Sequence, residues 1–113
     1  MKVSRERFEE LADRALKSLP AEFRARLGNL SIELRAVPGR EAGRRGRSSL
    51  MGLHISGDEP FPARILLYQR NIESGCADEQ ALFTAIRTTL LHEIAHHFGF
   101  SERDIREKWP EGS

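Results

Sequence analysis

The chain has 113 residues, of which 31% are charged and 39% hydrophobic, and its formal net charge at pH 7 is +1. This is an ordinary composition for a soluble protein, and the length suffices for one hydrophobic core, so we expect a single domain over residues 1–113. No apolar run is long enough for a signal peptide or a membrane span, which argues against a membrane protein. Because the one cysteine, Cys76, cannot form an internal disulfide, we expect a cytoplasmic location.

The first third of the chain predicts two helices and a strand. Apolar residues recur at helical spacing over residues 4–19, and Pro20 ends the pattern. A short second helix is predicted over residues 21–27. Apolar and polar residues then alternate over residues 30–35, which predicts a half-buried strand.

A basic, glycine-containing loop follows between residues 38 and 49. Within it, four side chains could bind phosphate groups: Arg40, Arg44, Arg45 and Arg47. No aromatic residues are interleaved with them to stack on bases. We therefore interpret the segment as a solvated, mobile loop, with a nucleic-acid partner as the less favoured alternative.

Two more strands are predicted in the middle of the chain. Residues 50–55 form the first candidate, and the continuous apolar run at residues 65–68 predicts a buried strand. The turn between them contains Pro60 and Pro62, which prevent regular strand pairing. Residues 71–77 are expected to connect the last strand to a long helix.

That long helix, residues 78–98, carries the sequence His92-Glu93-Ile94-Ala95-His96. It contains no Gly or Pro, and its apolar residues recur at helical spacing. His92 and His96 lie about 40° apart on a helical wheel and one turn apart along the axis, so both imidazoles can reach one zinc ion. Glu93 lies about 60° from His96, where it can act on a metal-bound water as a general base without binding the metal. Small side chains on the histidine face leave room for an approaching group: Ala81, Ala85, Thr88 and Thr89.

The residues after His96 suggest a third ligand. Gly99 stands where a helix commonly ends and the chain reverses. Three residues later, Glu102 occupies the position of the third ligand in H-E-x-x-H-x-x-G-x-x-H proteases. Ser101 and Asp104 predict a capping box for a short last helix, and Asp104 stays open as an alternative ligand.

The motif H-E-x-x-H-H-x-G is followed here by acidic residues and a hydrophobic one: His92, Glu93, His96, His97, Gly99, Glu102, Asp104 and Ile105. This pattern resembles the small bacterial zincin-like metallopeptidases called minimal zincins, and residues 51–53 and 64–68 resemble strand segments of that family. The family usually has Asp where Glu102 stands. No Met follows His96, which excludes a metzincin-type Met-turn.

The resemblance implies an α+β, minimal zincin-like fold: an N-terminal helix, a small three-stranded mixed sheet packed on the long motif helix, and a short C-terminal helix. It implies a hydrolase with one Zn²⁺ per chain, bound by His92, His96 and Glu102, and with Glu93 as the catalytic base. It also implies a peptide or protein substrate, bound as an extended strand along the edge at residues 50–55.

Two other functions stay open. Zinc endoribonucleases with the pattern H-x-x-x-H-x-x-x-x-x-H share this spacing, but Glu102 replaces their last histidine. Such an enzyme would explain the loop arginines, whereas a peptidase explains Glu93. The second alternative is a non-catalytic metal-binding or interaction module. His54 and Tyr68 are further candidates for substrate contacts, and His97 is expected to lie beside the metal site without binding it.

Overall fold

The computed structural model describes residues 1–44, 46–47, 49–58 and 60–110. Its helices are α1 (Arg5–Lys17), α2 (Ala21–Arg24), α3 (Gln69–Ser74), α4 (Glu79–His97) and α5 (Glu102–Lys108). Its strands are β1 (Ser31–Arg35), β2 (Gly52–Ile55) and β3 (Arg64–Tyr68), and a short 3-10 turn covers Arg40–Ala42. The predicted α+β class with a small three-stranded sheet is confirmed.

β3 is the central strand of a mixed sheet. β1 runs parallel to it on one side, and β2 runs antiparallel on the other. Ile65 and Leu67 of β3 join the main core, whereas Leu66 and Tyr68 point to the opposite face and pack against Leu53. Because both faces of β3 are packed against other residues, the sequence of the strand is an unbroken apolar run from Ile65 to Tyr68.

α4 packs between α1 and the sheet. The apolar face of α4 is buried: Ile86, Leu90 and Ile94 are inaccessible to solvent, and Phe83 is half-buried with the guanidinium of Arg14 over its ring. Each fully buried Leu or Ile contributes roughly 1.5–3 kcal/mol, so tertiary packing, more than helix propensity, holds α4 in place. No helix in the described part of the chain is both long and apolar enough to cross a membrane.

The sequence pattern predicts only a connector over residues 71–77, and this prediction is wrong, since α3 follows β3 directly. α3 is too short for a periodic signal, and it is held by the side chain of Glu73, which is 1% exposed. Glu73 accepts hydrogen bonds from the Val3 N–H (3.0 Å), the Gln69 amide (3.0 Å) and the Arg70 guanidinium (2.7 Å). These contacts reach to the start of the chain, which no local pattern reveals.

The basic loop is anchored to the sheet and to α3. The Tyr68 hydroxyl donates to Glu41 at 2.9 Å, and the Asn71 amide donates to the Arg47 carbonyl at 2.6 Å. The described arginine side chains of the loop are exposed, as expected for solvated residues: Arg40, Arg44 and Arg47. Arg45 lies outside the described residues. The loop therefore has exposed cationic side chains on a backbone tied down at two points.

The replacement Glu73→Gln tests how α3 is held. Burial alone would raise the pKa of Glu73, but hydrogen bonds from Gln69, Val3 and Arg70 together lower it below its ordinary value. The introduced amide NH₂ would face the N–H groups of Val3, Gln69 and Arg70, which can only donate there. We therefore expect the free energy of unfolding near neutral pH to fall by about 1–3 kcal/mol.

The pH dependence gives a second readout of the same variant. Since the folded-state pKa of Glu73 is lowered, its stabilisation is present above the unfolded-state pKa and is lost as the pH falls through the folded-state value. Denaturant unfolding should therefore show a smaller difference between wild type and Glu73→Gln at about pH 3 than near pH 7. Glu22→Gln, at an exposed position, is the control. An equal deficit at both pH values would contradict this account.

Candidate metal centre

The end of α4 and the start of α5 bring three metal-binding side chains together. The Nε2 atom of His92 lies 3.1 Å from Nε2 of His96 and 3.1 Å from Oε1 of Glu102. The distance from His96 Nε2 to the same carboxylate oxygen is 2.8 Å. Within the described ranges, this is the one group of three His, Cys, Asp or Glu whose ligand atoms all lie within 4.8 Å of one another. The three residues proposed from the sequence as ligands are thus adjacent in space.

The spacing and chemistry of this group fit zinc. Bonds of about 2.0–2.1 Å in tetrahedral geometry separate neighbouring ligand atoms by about 3.3 Å, and the separations here are 2.8–3.1 Å. Burial alone would raise the pKa of Glu102, but when the two histidines are protonated, a hydrogen bond from His96 and the charges of His92 and His96 lower it. A positive charge at this position therefore favours the ionised carboxylate, and a bound cation would act in the same direction.

The backbone selects the tautomer of His96. Its Nδ1 atom lies 3.0 Å from the carbonyl oxygen of Phe100. Because a carbonyl oxygen can only accept, Nδ1 must donate, and in the neutral ring Nε2 then has a free lone pair. Nε2 is the atom that faces His92 and Glu102. Metal-binding histidines commonly have this arrangement, in which the second nitrogen donates to a carbonyl or carboxylate.

A tight turn at Gly99 puts this carbonyl in place. Gly99 has a φ of +87°, its N–H donates to the His96 carbonyl at 2.9 Å, and the Phe100 N–H donates to the Ala95 carbonyl at 3.1 Å. This pair of hydrogen bonds is the Schellman motif that ends many helices at a left-handed residue. The chain reverses within two residues, and α5 begins at Glu102. The predicted role of Gly99 as a helix stop is confirmed.

Aromatic rings support the turn from the core side. Phe23 of α2 stacks on Phe98 at a centroid distance of 5.6 Å and contacts Trp109 at 4.7 Å. Phe100 meets Trp109 edge to face at 4.9 Å. Since Phe98 and Phe100 flank Gly99, these contacts tie both sides of the turn to α2 and to the end of α5. Each such pair stabilises by roughly 0.5–1.5 kcal/mol beyond its buried area.

Asp104, the alternative ligand, is engaged elsewhere. Its carboxylate accepts from the Ser101 N–H at 3.0 Å, and the Asp104 N–H donates to the Ser101 hydroxyl at 3.1 Å. These bonds form the predicted capping box of α5. Hydrogen bonds from the Ser101 N–H and the Ser101 hydroxyl to the carboxylate hold the pKa of Asp104 below its ordinary value. The capping box thus leaves Asp104 outside the metal-binding group and puts Glu102 at its rim.

Glu93 lies beside the group, against β2. Its side chain is half-buried, and its carboxylate accepts a hydrogen bond from the backbone N–H of His54. Burial raises the pKa of Glu93, the charges of His92 and His96 oppose this, and the charge of Glu102 adds to it. A carboxylate with a raised pKa takes up a proton more readily, which is the property required of a general base near neutral pH.

A close approach of β2 to α4 brings His54 to Glu93. A Cβ atom on Gly52 would lie 2.7 Å from Thr89 Cγ2 and 3.2 Å from the Leu66 carbonyl oxygen. Only glycine therefore allows this spacing, and the small residue at Thr89 accommodates the strand. This role of Gly52 was not predicted from the sequence, although a glycine within a strand pattern indicates close backbone approach.

An open cleft of about 400 Å³ runs between β2 and the metal-binding group. This volume falls within the range of small-ligand sites. Leu50, Leu53 and His54 line its strand side. The cleft thus places an extended strand edge, a half-buried carboxylate and three converging ligand atoms around one space.

Of the other candidates, His54 lines this cleft, whereas His97 and Tyr68 do not. His54 Nε2 lies 3.1 Å from His97 Nδ1, so the His97 ring contacts β2 and is not part of the metal-binding group. Burial lowers the pKa of His54, as do the charges of His97 and His96, so His54 is neutral near pH 7. Tyr68 points to the opposite face of the sheet, where its hydroxyl donates to Glu41.

The replacement Gly99→Ala tests the turn. No atom lies within 4 Å of the added methyl group, so the cost is conformational, and the left-handed backbone should lower the free energy of unfolding by about 1–2 kcal/mol. Zinc affinity, measured by competition with a chelator, should fall as well because the turn positions both His96 and Glu102. Gly75→Ala is the matched control, since Gly75 also has open space around it and a φ of −96°. Equal behaviour of the two variants would rule out a special role for the turn.

The contact between β2 and α4 is tested by a pair of replacements. Gly52→Ala should lower the free energy of unfolding by about 1–3 kcal/mol, because its methyl group overlaps that of Thr89. Thr89→Ser removes the overlapping methyl and keeps the hydroxyl that donates to the Ala85 carbonyl at 2.8 Å. The double variant should therefore recover much of the loss, which chemical denaturation of all four proteins measures. Simple additivity of the two single effects would contradict the contact.

The comparison with known proteins agrees with this geometry. A protein-family model described as zincin-like metallopeptidase matches residues 47–110, which is more than half of the chain. The matched segment contains β2, β3, α3, α4 and α5, and with them every residue of the metal-binding group. No curated protein matches the chain. On the strength of the family match, the chain belongs to the zincin-like metallopeptidases.

Proposed function

We propose that this protein is a zinc-dependent peptidase and that residues 1–113 form one catalytic domain. The observation that carries the proposal is the convergence of His92 Nε2, His96 Nε2 and Glu102 Oε1, at separations of 2.8–3.1 Å, beside the half-buried Glu93. Membership of the family supports zinc as the metal and a peptide as the substrate.

His92, His96 and Glu102 would hold one zinc ion. When bound, zinc supplies Lewis-acid polarisation of a carbonyl oxygen and lowers the pKa of water toward about 7. The protein's own contribution is to present the ligand atoms in binding form. The Phe100 carbonyl keeps the proton of neutral His96 on Nδ1, and Glu102 presents a carboxylate that a positive charge beside it would hold in the ionised form.

Glu93 would serve as the general base. Its carboxylate would accept the proton of the attacking water and later pass it to the leaving amine. Burial against β2 raises its pKa, which favours the first transfer, and the His54 N–H holds the carboxylate at the cleft. Glu93 is not part of the group that could hold the metal, so its carboxylate is available for proton transfer.

The edge of β2 would bind the substrate. Among the described residues, β2 pairs with β3 on one side and with no strand on the other, and residues of β2 line the cleft. An extended peptide that adds to a sheet edge is held by main-chain hydrogen bonds, and side-chain pockets supply the specificity. We infer that the scissile bond lies over Glu93 while the flanking residues of the peptide run along β2.

Metal content and hydrolysis, measured on the same protein samples, test the proposal. We expect one zinc per chain in the wild type and in Glu93→Gln, and a fall of at least about 10²-fold in kcat for a peptide library in Glu93→Gln. Glu102→Gln should lower zinc affinity by at least about tenfold. Glu107→Gln is its matched control, because Glu107 lies on the same helix and contacts Arg103 on the protein surface. Elemental analysis and mass spectrometry of the digested library give the two readouts.

Three results would contradict the proposal. If zinc-loaded wild-type protein cleaves no peptide, the protein is a non-catalytic metal-binding module. Cleavage of RNA without cleavage of peptides would indicate an endoribonuclease. Loss of zinc in Asp104→Asn, with zinc retained in Glu102→Gln, would show that Asp104, and not Glu102, is the third ligand.

The cytoplasmic location stays a prediction from the single cysteine. Cys76 is a buried free thiol, and burial raises its pKa. Such a thiol is poorly reactive. It is therefore assigned no part in the proposed chemistry.

A further inference from the structure

The basic loop, residues 38–49, turns its negative charge inward and its positive charges outward. Its sequence contains four arginines and one glutamate. The glutamate, Glu41, is half-buried against the sheet, where its carboxylate accepts a hydrogen bond from the Tyr68 hydroxyl at 2.9 Å. The arginines of the loop that the structure describes are all exposed, among them Arg44 and Arg47. The outer surface of the loop is therefore cationic.

Arginines on the neighbouring elements are paired, whereas those of the loop are not. Arg35 of β1 and Arg70 of α3 each contact a glutamate of the same element, at 2.9 and 2.7 Å. Within the described part of the chain, no ion pair joins Arg44 or Arg47 to an acidic side chain. Because a guanidinium stays charged at any ordinary pH, the loop presents positive charge that is available to an anionic partner.

Arg47 lies at the end of the cleft where β2 begins. The side-chain amide of Asn71 donates to the Arg47 carbonyl at 2.6 Å and to the Leu50 carbonyl at 2.8 Å, so one nitrogen atom holds both residues. The Leu50 N–H donates in turn to the Gly46 carbonyl at 3.1 Å. Since Leu50 lines the cleft, the backbone of Arg47 is fixed beside it. A guanidinium on a stem of three methylene groups can then contact a molecule that leaves the cleft at this end.

The packing of Glu93 gives the register of a bound peptide. A Cβ atom on Gly52 would lie 3.3 Å from Glu93 Cγ, so a scissile bond placed over Glu93 lies opposite Gly52. The Tyr68 N–H donates to the Met51 carbonyl at 2.9 Å, which continues the strand pairing beyond Gly52 toward Leu50. At about 3.3 Å per residue, an extended peptide passes Leu50 about two residues from the scissile bond and meets the loop at the next residue.

We propose that the basic loop, through Arg47 and its neighbouring arginines, binds an acidic side chain of the substrate two or three residues from the scissile bond. The inference rests on the proposed peptidase function. Antiparallel pairing with β2, the slightly more stable arrangement, puts that side chain on the carboxyl-terminal side of the scissile bond. A guanidinium can bind a carboxylate through two parallel hydrogen bonds. RNA is the less favoured partner, because no aromatic residue is interleaved with the loop arginines.

Paired peptides test this inference. Each pair shares one cleavable sequence and differs only by Glu or Gln at one of the first three positions on either side of the scissile bond. We expect kcat/KM of the wild type to be about fivefold higher for Glu than for Gln at the second or third carboxyl-terminal position, in about 20 mM salt. In Arg44→Gln/Arg47→Gln this ratio should fall toward one. In Arg44→Lys/Arg47→Lys, which keeps both charges, part of the preference should remain.

The control removes two positive charges elsewhere. Arg5→Gln/Lys17→Gln acts on exposed side chains of α1, 63% and 73% accessible, that do not line the cleft. It should keep the wild-type ratio. Salt gives a further check, because about 0.5 M salt screens exposed charges and should bring the wild-type ratio below about two.

Binding without turnover gives an independent readout. A fluorescent derivative of the Glu peptide is titrated with zinc-loaded Glu93→Gln protein and with the same protein carrying Arg44→Gln/Arg47→Gln. We expect the Kd to rise about fivefold when the two arginines are replaced, and the Gln peptide to show a much smaller change. Circular dichroism and zinc content should match between the two proteins, because the arginine side chains are exposed.

The outcomes separate this inference from the proposed function. If no peptide is cleaved by any variant, the peptidase function itself fails. If peptides are cleaved and Arg44→Gln/Arg47→Gln keeps both the ratio and the Kd, the function stands and the loop inference is overturned. Equal loss of the preference in the α1 control also overturns it, since the effect would then be one of net charge. Single-stranded RNA that binds the loop more tightly than the Glu peptide would instead make the loop a nucleic-acid surface.

Discussion

The candidate site depends on one backbone interaction, the hydrogen bond between His96 Nδ1 and the carbonyl of Phe100. It leaves the lone pair of His96 on the nitrogen that faces the other proposed ligands. The same turn, closed by Gly99, starts α5 with Glu102 next to both histidines. A segment of little more than ten residues thereby determines which atoms converge, in which protonation state, and at what spacing. The aromatic contacts of Phe23 and Trp109 tie this segment to the rest of the fold.

The second requirement is that β2 lies very close to α4. The close approach at Gly52 half-buries Glu93 and allows the His54 N–H to reach its carboxylate. The same approach puts a strand edge beside the metal-binding group, so the proposed chemistry of Glu93 and the proposed binding of an extended peptide would have a common structural origin. A displacement of β2 would alter both together, which is why sites of this kind are built on packed secondary structure.

The first third of the chain lies outside the family match, yet it completes the fold around the site. α1 packs along α4, β1 pairs with β3, and α2 supplies the ring that stacks behind the Gly99 turn. Without these elements the apolar side of α4 would face water, at a cost of roughly 1.5–3 kcal/mol for each exposed Leu or Ile. The matched residues therefore contain the candidate metal centre, and the preceding residues contribute packing that supports it.

Local features of the sequence were sufficient for much of this protein. The motif helix, its end at Gly99, the capping box at Ser101 and the three strands follow from periodicity and from the backbone preferences of neighbouring residues. The proximity of His92, His96 and Glu102 follows from the same short-range rules. The sequence left open whether Glu102 or Asp104 joins the histidines, and the structure puts Glu102 there. Tertiary structure alone decided the helix at α3, the close approach at Gly52, and the contact of His54 with His97. These last features join residues that are distant in the chain, and their energies depend on packing that no local pattern encodes.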